Sequence, residues 1–121
     1  MSARTRLAAD LATALPTFRI MGVNADLDAV ARPTVMLWQS LVTRADHFGL
    51  GRLVATLDVW VLTGRENPEK ADDNLDASLL AVIATLQPLT WIDWTAAERG
   101  VLLERFHGYK ITATAHEQTG A

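Results

Sequence analysis

Two long apolar stretches separated by a glycine-containing loop constrain the fold of this chain more than any other feature. Residues 34–42 read TVMLWQSLV and residues 52–62 read RLVATLDVWVL, and the intervening residues 43–51 read TRADHFGLG. Both stretches are rich in β-branched and aromatic residues, and glycines and charges in the loop mark a change of direction. The pattern predicts two antiparallel strands joined as a long β-hairpin.

Helical spacing of apolar residues appears on either side of this hairpin. In residues 3–15, leucines recur every four residues before Pro16, and in residues 68–87 one apolar stripe runs from a proline start to Pro88. Asn67 is suited to cap the second helix, because an Asn side chain can accept a bond from a free N–H of the first turn. Three further strands are predicted, with AAERG at 96–100 as the turn between the last two: 17–23, 89–95 and 101–117, the last intact or broken near Gly108.

The order of these elements predicts the fold class. Helices and strands are mixed without regular βαβ repetition, which favours an α+β domain with a mostly antiparallel sheet packed by two main helices. A length of 121 residues suits one domain over 1–121, with a frayed tail at about 118–121.

Composition excludes several classes of protein. The chain has no cysteine, so disulfides and thiolate metal sites are excluded, and its net charge of −3 does not suit a nucleic-acid binder. No signal peptide and no membrane span is recognisable, and we expect a soluble protein made in the cytoplasm.

No group of residues predicts catalysis or the binding of a cofactor or metal. The stretch VWVLTGRENPEKADDNLD at 59–76 has a strand-turn-helix layout, but its one glycine and its flanking carboxylates do not make a phosphate cradle. The three histidines are scattered, and no serine lies in a nucleophile-elbow motif. We therefore expect a non-enzymatic protein.

The hairpin strands are apolar on both faces, whereas a sheet with one solvated face alternates apolar with polar residues. Simple alternation sets Val35, Leu37 and Leu41 against Met36, Trp38 and Val42. In the second strand, Asp58 shares a face with Val54, Trp60 and Leu62. Two helices can cover only one face, so the sequence predicts that the other face meets more protein.

Burial of Asp58 as an unpaired carboxylate would cost several kcal/mol. That face is therefore partly exposed, or closed by another chain, or Asp58 has an intramolecular partner such as Arg105 or Lys110.

Over nearly its whole length the chain resembles the tail terminator proteins of long-tailed phages, especially those of actinobacterial hosts. The resemblance lies in five segments: LDAVARPTVMLWQ, GRLVATLDVWVL, NPEKADDNLDASLLAVIATLQ, LTWIDWTAAERG and RFHGYKITATA. It implies a small subunit that forms a hexameric ring, caps the tail tube, stops its polymerisation and joins the connector of the head. Such a protein would belong to the tail or neck of the virion, with DNA passing through the ring without sequence-specific binding.

A ring of this kind places different patches of neighbouring subunits in contact, and charge would fix their orientation. We expect the contact residues in the loop, on the hairpin and on the acidic second helix: Arg44, Asp46, His47, Phe48, Arg52, Asp58, Trp60, Asp72, Asp73 and Asp76. Two other interpretations stay open. One is another ring of the same neck, such as a head-completion protein, and the other is a small dimeric ligand-binding domain or enzyme with a pocket lined by Trp38 and Trp60.

Overall fold

The computed structural model describes residues 3–21, 33–44, 52–62, 68–102 and 106–118. The described residues form two helices and five strands, in this order along the chain: α1 (Ala3–Ala14), β1 (Arg19–Met21), β2 (Thr34–Arg44), β3 (Arg52–Leu62), α2 (Pro68–Leu86), β4 (Ile92–Leu102) and β5 (Phe106–Gln118). The strands form one sheet in the order β1-β2-β3-β5-β4. Only the β1·β2 pair is parallel. The predicted α+β class, the long hairpin and the two packed helices are confirmed.

Both helices lie on the same face of the sheet. Leu7 and Leu11 of α1 are fully buried and one helical turn apart, and α1 ends at Ala14, two residues before Pro16. Leu75, Val82 and Leu86 form the buried stripe of α2, together with a buried Ser78. The stripe predicted from the sequence thus faces the sheet.

The core lies between the helices and alternate residues of the strands. On β3 the buried residues are Ala55, Leu57, Val59 and Val61, and on β5 they are Ile111, Ala113 and Ala115. The small alanines of β5 leave room for the leucines of the helices. This core cluster lies on the helix side of the sheet, and neither described helix lies on the opposite side.

The C-terminal part of the chain differs from the prediction. Residues 96–100 do not turn the chain but continue β4, which pairs with β5 over its full length, and Gly108 lies inside β5 without breaking it. The register shifts between Trp94 and Ala96, so Thr95 is an extra residue in β4. This β-bulge interrupts the alternation of the two faces along β4. For that reason the sequence pattern predicts a turn at AAERG.

A second register shift corrects the predicted faces of β2. It falls between Gln39 and Leu41, so Ser40 is the extra residue. Leu41 pairs with Thr56 and shares the face of Trp38, whereas Val42 pairs with Ala55 and shares the helix-covered face. The prediction had these two residues the other way round, because simple alternation has no place for an inserted residue.

Candidate functional site

The side of the sheet opposite the two described helices, which we call the outer face, is the candidate site. Alternation from the observed registers assigns its side chains to four strands: Thr34, Met36, Trp38, Leu41 and Thr43 on β2; Val54, Thr56, Asp58, Trp60 and Leu62 on β3; Gly108, Lys110, Thr112, Thr114 and His116 on β5; Asp93, Ala96, Glu98 and Gly100 on β4. Asp58 and Trp60 thus lie on one face, as predicted.

Burial divides the outer face into two parts. Thr34, Met36 and Leu62, at one end of β2 and β3, are buried. Towards the other end Trp38 is exposed and Asp58 is half-buried. The Asp58 carboxylate therefore keeps access to solvent, and the large cost of a sealed, unpaired charge does not arise.

Of the two predicted ion-pair partners of Asp58, the described residues include Lys110. It pairs with Trp60 across β3·β5, and Asp58 pairs with the adjacent outer-face residue, Thr112. Asp58 and Lys110 are thus diagonal neighbours, which in antiparallel sheets stand about 7–8 Å apart. Arg105, the other candidate, lies outside the described residues.

Trp60 lies flat across the outer face. A Cβ built on Gly100 of β4 would be 3.2 Å from Cη2 of the Trp60 indole, although β5 separates β3 from β4. Gly100 has no side chain and thus leaves space for the end of the ring. The indole therefore extends towards β4, away from β2 and Trp38.

The direction of the Trp60 ring is relevant to the interpretation as a ligand-binding domain. In that interpretation, we expected Trp38 and Trp60 to line a common pocket. Trp38 belongs to β2 and Trp60 reaches towards the opposite edge of the sheet. The arrangement gives an extended, partly apolar surface. Such a surface is suited to contact with another protein.

Within the described residues, the sheet ends on both sides in a strand with an open edge. β1 pairs with β2 only at Thr34–Met36, so residues 37–44 of β2 have β3 as their single partner among the described strands. β4 likewise has β5 as its single partner within the described part of the chain. An open edge presents unpaired N–H and C=O groups, which can bind a further strand.

Exposed apolar side chains concentrate on these two edge strands. Among the described residues, five large hydrophobic side chains are exposed, and four of them belong to β2 or β4: Trp38 (42%), Leu41 (55%), Val42 (43%) and Val101 (47%), the fifth being Leu80 (66%) on α2. Scattered single hydrophobics are usual on a surface, but a cluster beside an unpaired backbone indicates an interface.

The β-bulge in β2 contributes to this cluster. It places Leu41 on the outer face beside Trp38, and the Ser40 hydroxyl donates a hydrogen bond to the Thr56 carbonyl at 3.3 Å. The bulge in β4 has the same construction, since the Thr95 hydroxyl donates to the Thr112 carbonyl at 3.2 Å. Each bulged residue is thus tied to the neighbouring inner strand.

The predicted contact residues fall in four places, the fourth of which is α2. Asp46, His47 and Phe48 lie outside the described residues. Arg44 and Arg52 are the last and first residues of the hairpin strands, where they pair with Leu53 and Gln118. Asp58 and Trp60 lie on the outer face.

The acidic residues Asp72, Asp73 and Asp76 belong to α2, and the structure therefore places them on the opposite side of the sheet from Asp58. Asp73 and Asp76 are exposed. The Tyr109 hydroxyl donates to Asp76 Oδ1 at 3.4 Å, which links α2 to β5, and the Arg99 guanidinium lies 5.7 Å from the centre of the Tyr109 ring. The structure does not bring the acidic helix and the outer face together into one patch.

Sequence reasoning did not select Leu41, Val42 or Val101 as contact residues. All three are ordinary strand residues, and their exposure depends on the strand order and on the bulge in β2. The apolar run at 34–42 was a signal for Trp38 and Leu41, but nothing in the chain reports which strands lie at the edges.

Among the described residues, no three His, Asp or Glu side chains come together in a group that could hold a metal ion. Neither described helix combines the length and the hydropathy that a membrane crossing requires. Comparison of the sequence with models of known protein families and with curated proteins finds no match.

Proposed function

We propose that this protein is a tail terminator of a long-tailed phage, a structural subunit without catalytic activity. In this role it forms a hexameric ring, as the resemblance implies, caps the tail tube, stops its polymerisation and joins the connector of the head. The observation that supports the proposal best is the exposed apolar surface on the outer face and edge strands, which suits contact with other chains.

A ring subunit needs two different contact patches, because each copy meets its neighbours through opposite sides. Among the described strands, the sheet has two different edges, residues 37–44 of β2 and the outer edge of β4. Removal of apolar area from water at these sides would contribute about 25 cal/mol per Å² to association. Patches of opposite charge, with Arg44 or Arg52 on one copy and the α2 carboxylates on the next, would then fix orientation.

The proposed partners are further copies of the chain, the tail tube protein and a head-completion or connector protein. DNA would pass through the ring without sequence-specific binding, since a chain with a net charge of −3 does not favour the neutralisation of phosphates. The protein would be assembled in the host cytoplasm and reside in the tail or neck of the virion.

Negative-stain electron microscopy and native mass spectrometry, on the protein alone and mixed with tail tubes, test the proposal. We expect six-fold rings, or caps at one end of each tube that halt its growth. Tubes are needed because a terminator can remain monomeric until it meets one. Binding to the head connector without any effect on tubes would identify another neck protein, and a dimer indifferent to both would refute the phage role.

The hairpin loop 43–51 is predicted from its composition to take part in assembly, and its residues 45–51 lie outside the described residues. Deletion of residues 45–49 should leave a folded subunit that no longer caps tubes. Thr90→Ala, in the exposed turn before β4, is a control that should leave capping unchanged. Normal capping by the deletion variant would refute the role of the loop.

A further inference from the structure

We propose that copies of this chain join edge to edge, with β4 of one copy adding as an antiparallel strand to residues 37–44 of β2 of the next. The contact would make one sheet continuous across the subunit boundary. The inference deepens the ring-forming part of the proposed function and rests on it. It does not depend on the tail tube being the partner.

The directions of the strands favour a second copy of this chain as the partner of each open edge. β2 and β3 are antiparallel, β3 and β5 are antiparallel, and β5 and β4 are antiparallel, so β2 and β4 run in opposite directions. When two copies stand side by side with their helices on the same side, β4 of one meets β2 of the other as an antiparallel neighbour. The strand order therefore gives each open edge a complement on the same molecule.

The position of β1 defines how much of β2 is free. β1 pairs with Thr34–Met36, and the rest of β2 has no partner on this side among the described strands. This part of β2 includes the exposed Trp38, Leu41 and Val42. The apolar side chains thus flank the part of the strand whose backbone has no partner among the described residues. Strand addition would satisfy these backbone groups and cover the side chains together.

Charge favours this pairing over pairing of β4 with a second β4. The stretch from Leu37 to Thr43 carries no charged residue, whereas β4 contains Asp93 and Glu98 on the outer face. Two copies of β4 that cross near their centres would bring these carboxylates together, and like charges directly opposite destabilise a sheet. Pairing with β2 avoids this repulsion.

The two bulges also lie at the same position along the strand direction. The β2 bulge at Ser40 adjoins Gln39, which pairs with Leu57, and Leu57 pairs with Ala113 on its other side. Ala113 in turn pairs with Trp94, which adjoins the β4 bulge at Thr95. A bulge bends its strand and increases the local twist, so both open edges change direction at the same level. An edge of one copy can therefore follow the contour of the other.

Two single substitutions test the contact, one on each edge. Leu41→Lys on β2 and Ala96→Lys on β4 change exposed residues and introduce the charge that natural proteins use to protect open edges. We expect each variant to associate at least about tenfold more weakly than the wild type, because strand addition would desolvate the ammonium group. Leu80→Lys is the matched control, since Leu80 is exposed but belongs to α2, and it should associate like the wild type.

A mixture of the two variants provides the decisive measurement. The Leu41→Lys copy keeps an intact β4 edge, and the Ala96→Lys copy keeps an intact β2 edge. Together they should form a one-to-one dimer that grows no further, measured by sedimentation velocity and native mass spectrometry. Formation of that dimer also shows that both variants are folded.

Three results would overturn the inference. The first is wild-type association by either edge variant. The second is a mixture of folded variants that stays monomeric under conditions in which the wild type associates. The third is a wild-type chain that remains monomeric both at its highest soluble concentration and on tail tubes. Tube capping is scored separately. Edge-joined rings that leave tubes uncapped would refute the terminator role alone, and capping by both edge variants would refute the edge contact alone.

Discussion

Replacement of Gly108 by alanine should destabilise the fold, because the sheet leaves no space for a methyl group at this position. A Cβ at residue 108 would lie 2.5 Å from the carbonyl oxygen of Val61 and 2.7 Å from Cδ2 of Leu62. The first of these atoms is backbone, at the point where β3 and β5 pair. The contact can therefore be relieved only by a movement of one strand, which a close-packed sheet resists.

Two opposing terms set the size of the effect. Overpacking of a closely packed site costs about 1–3 kcal/mol, and a backbone contact falls in the upper half of that range. Replacement of glycine by alanine returns about 0.4–1 kcal/mol, because the unfolded chain loses conformational freedom. The net loss of unfolding free energy should be about 1–2 kcal/mol, which lowers the urea midpoint by about 1 M if the slope is near 1–1.5 kcal/mol/M.

Gly100→Ala is the matched control, since Gly100 is paired with Gly108 across β4·β5. Its Cβ would be 3.2 Å from Trp60, but the contacting atom is at the far end of a half-buried side chain that can tilt. We expect a stability within about 0.5 kcal/mol of the wild type. Urea titrations followed by tryptophan fluorescence and circular dichroism measure both variants. Equal midpoints for the two, or a Gly108→Ala midpoint at the wild-type value, would refute the reasoning.

Three further predictions concern the core, the first helix and the outer face. Leu57→Ala should cost about 2–5 kcal/mol, because Leu57 is fully buried, whereas Leu80→Ala should stay within about 0.5 kcal/mol of the wild type; urea titration compares them. Arg6→Ala removes a guanidinium that lies 4.3 Å from the centre of the Trp91 ring and should cost about 0.5–1 kcal/mol, with Arg6→Lys retaining part of that; equal stability of all three proteins would contradict the contact. Asp58→Ala should change the stability of the isolated subunit by less than about 1 kcal/mol, since the side chain is half-buried. The same variant should weaken self-association, as measured by sedimentation velocity. A loss of several kcal/mol in the isolated subunit would instead indicate an intramolecular ion pair.

The sequence predicted the elements whose patterns are regular. The stripe of Leu75, Val82 and Leu86 gave α2, and the apolar run at 52–62 gave β3 with the bounds that the structure has. These elements are readable because one repeat, of 3.6 or of 2 residues, persists from end to end. Asp58 and Trp60 were assigned to the correct face for the same reason.

The predictions that were wrong concern segments in which the repeat of the sequence pattern is interrupted. Ser40 and Thr95 are inserted residues, and neither carries a side chain that marks a bulge in sequence. One bulge exchanged the predicted faces of Leu41 and Val42, and the other made residues 96–100 resemble a turn. The order of strands in the sheet depends on contacts between distant segments, so the open edges of β2 and β4 were not predictable either.

The last described strand of the chain lies between two earlier ones, and this order constrains how the protein folds. β5 separates β3 from β4, and the register joins residues as far apart as Arg52 and Gln118. During synthesis the β2·β3 hairpin can form early, but β3 lacks its second neighbour, and β4 any described neighbour, until residues 106–118 have been made. Contacts of such long range slow folding. A chain that ends before β5 should therefore expose both strands and behave as an aggregation-prone fragment rather than as a smaller domain.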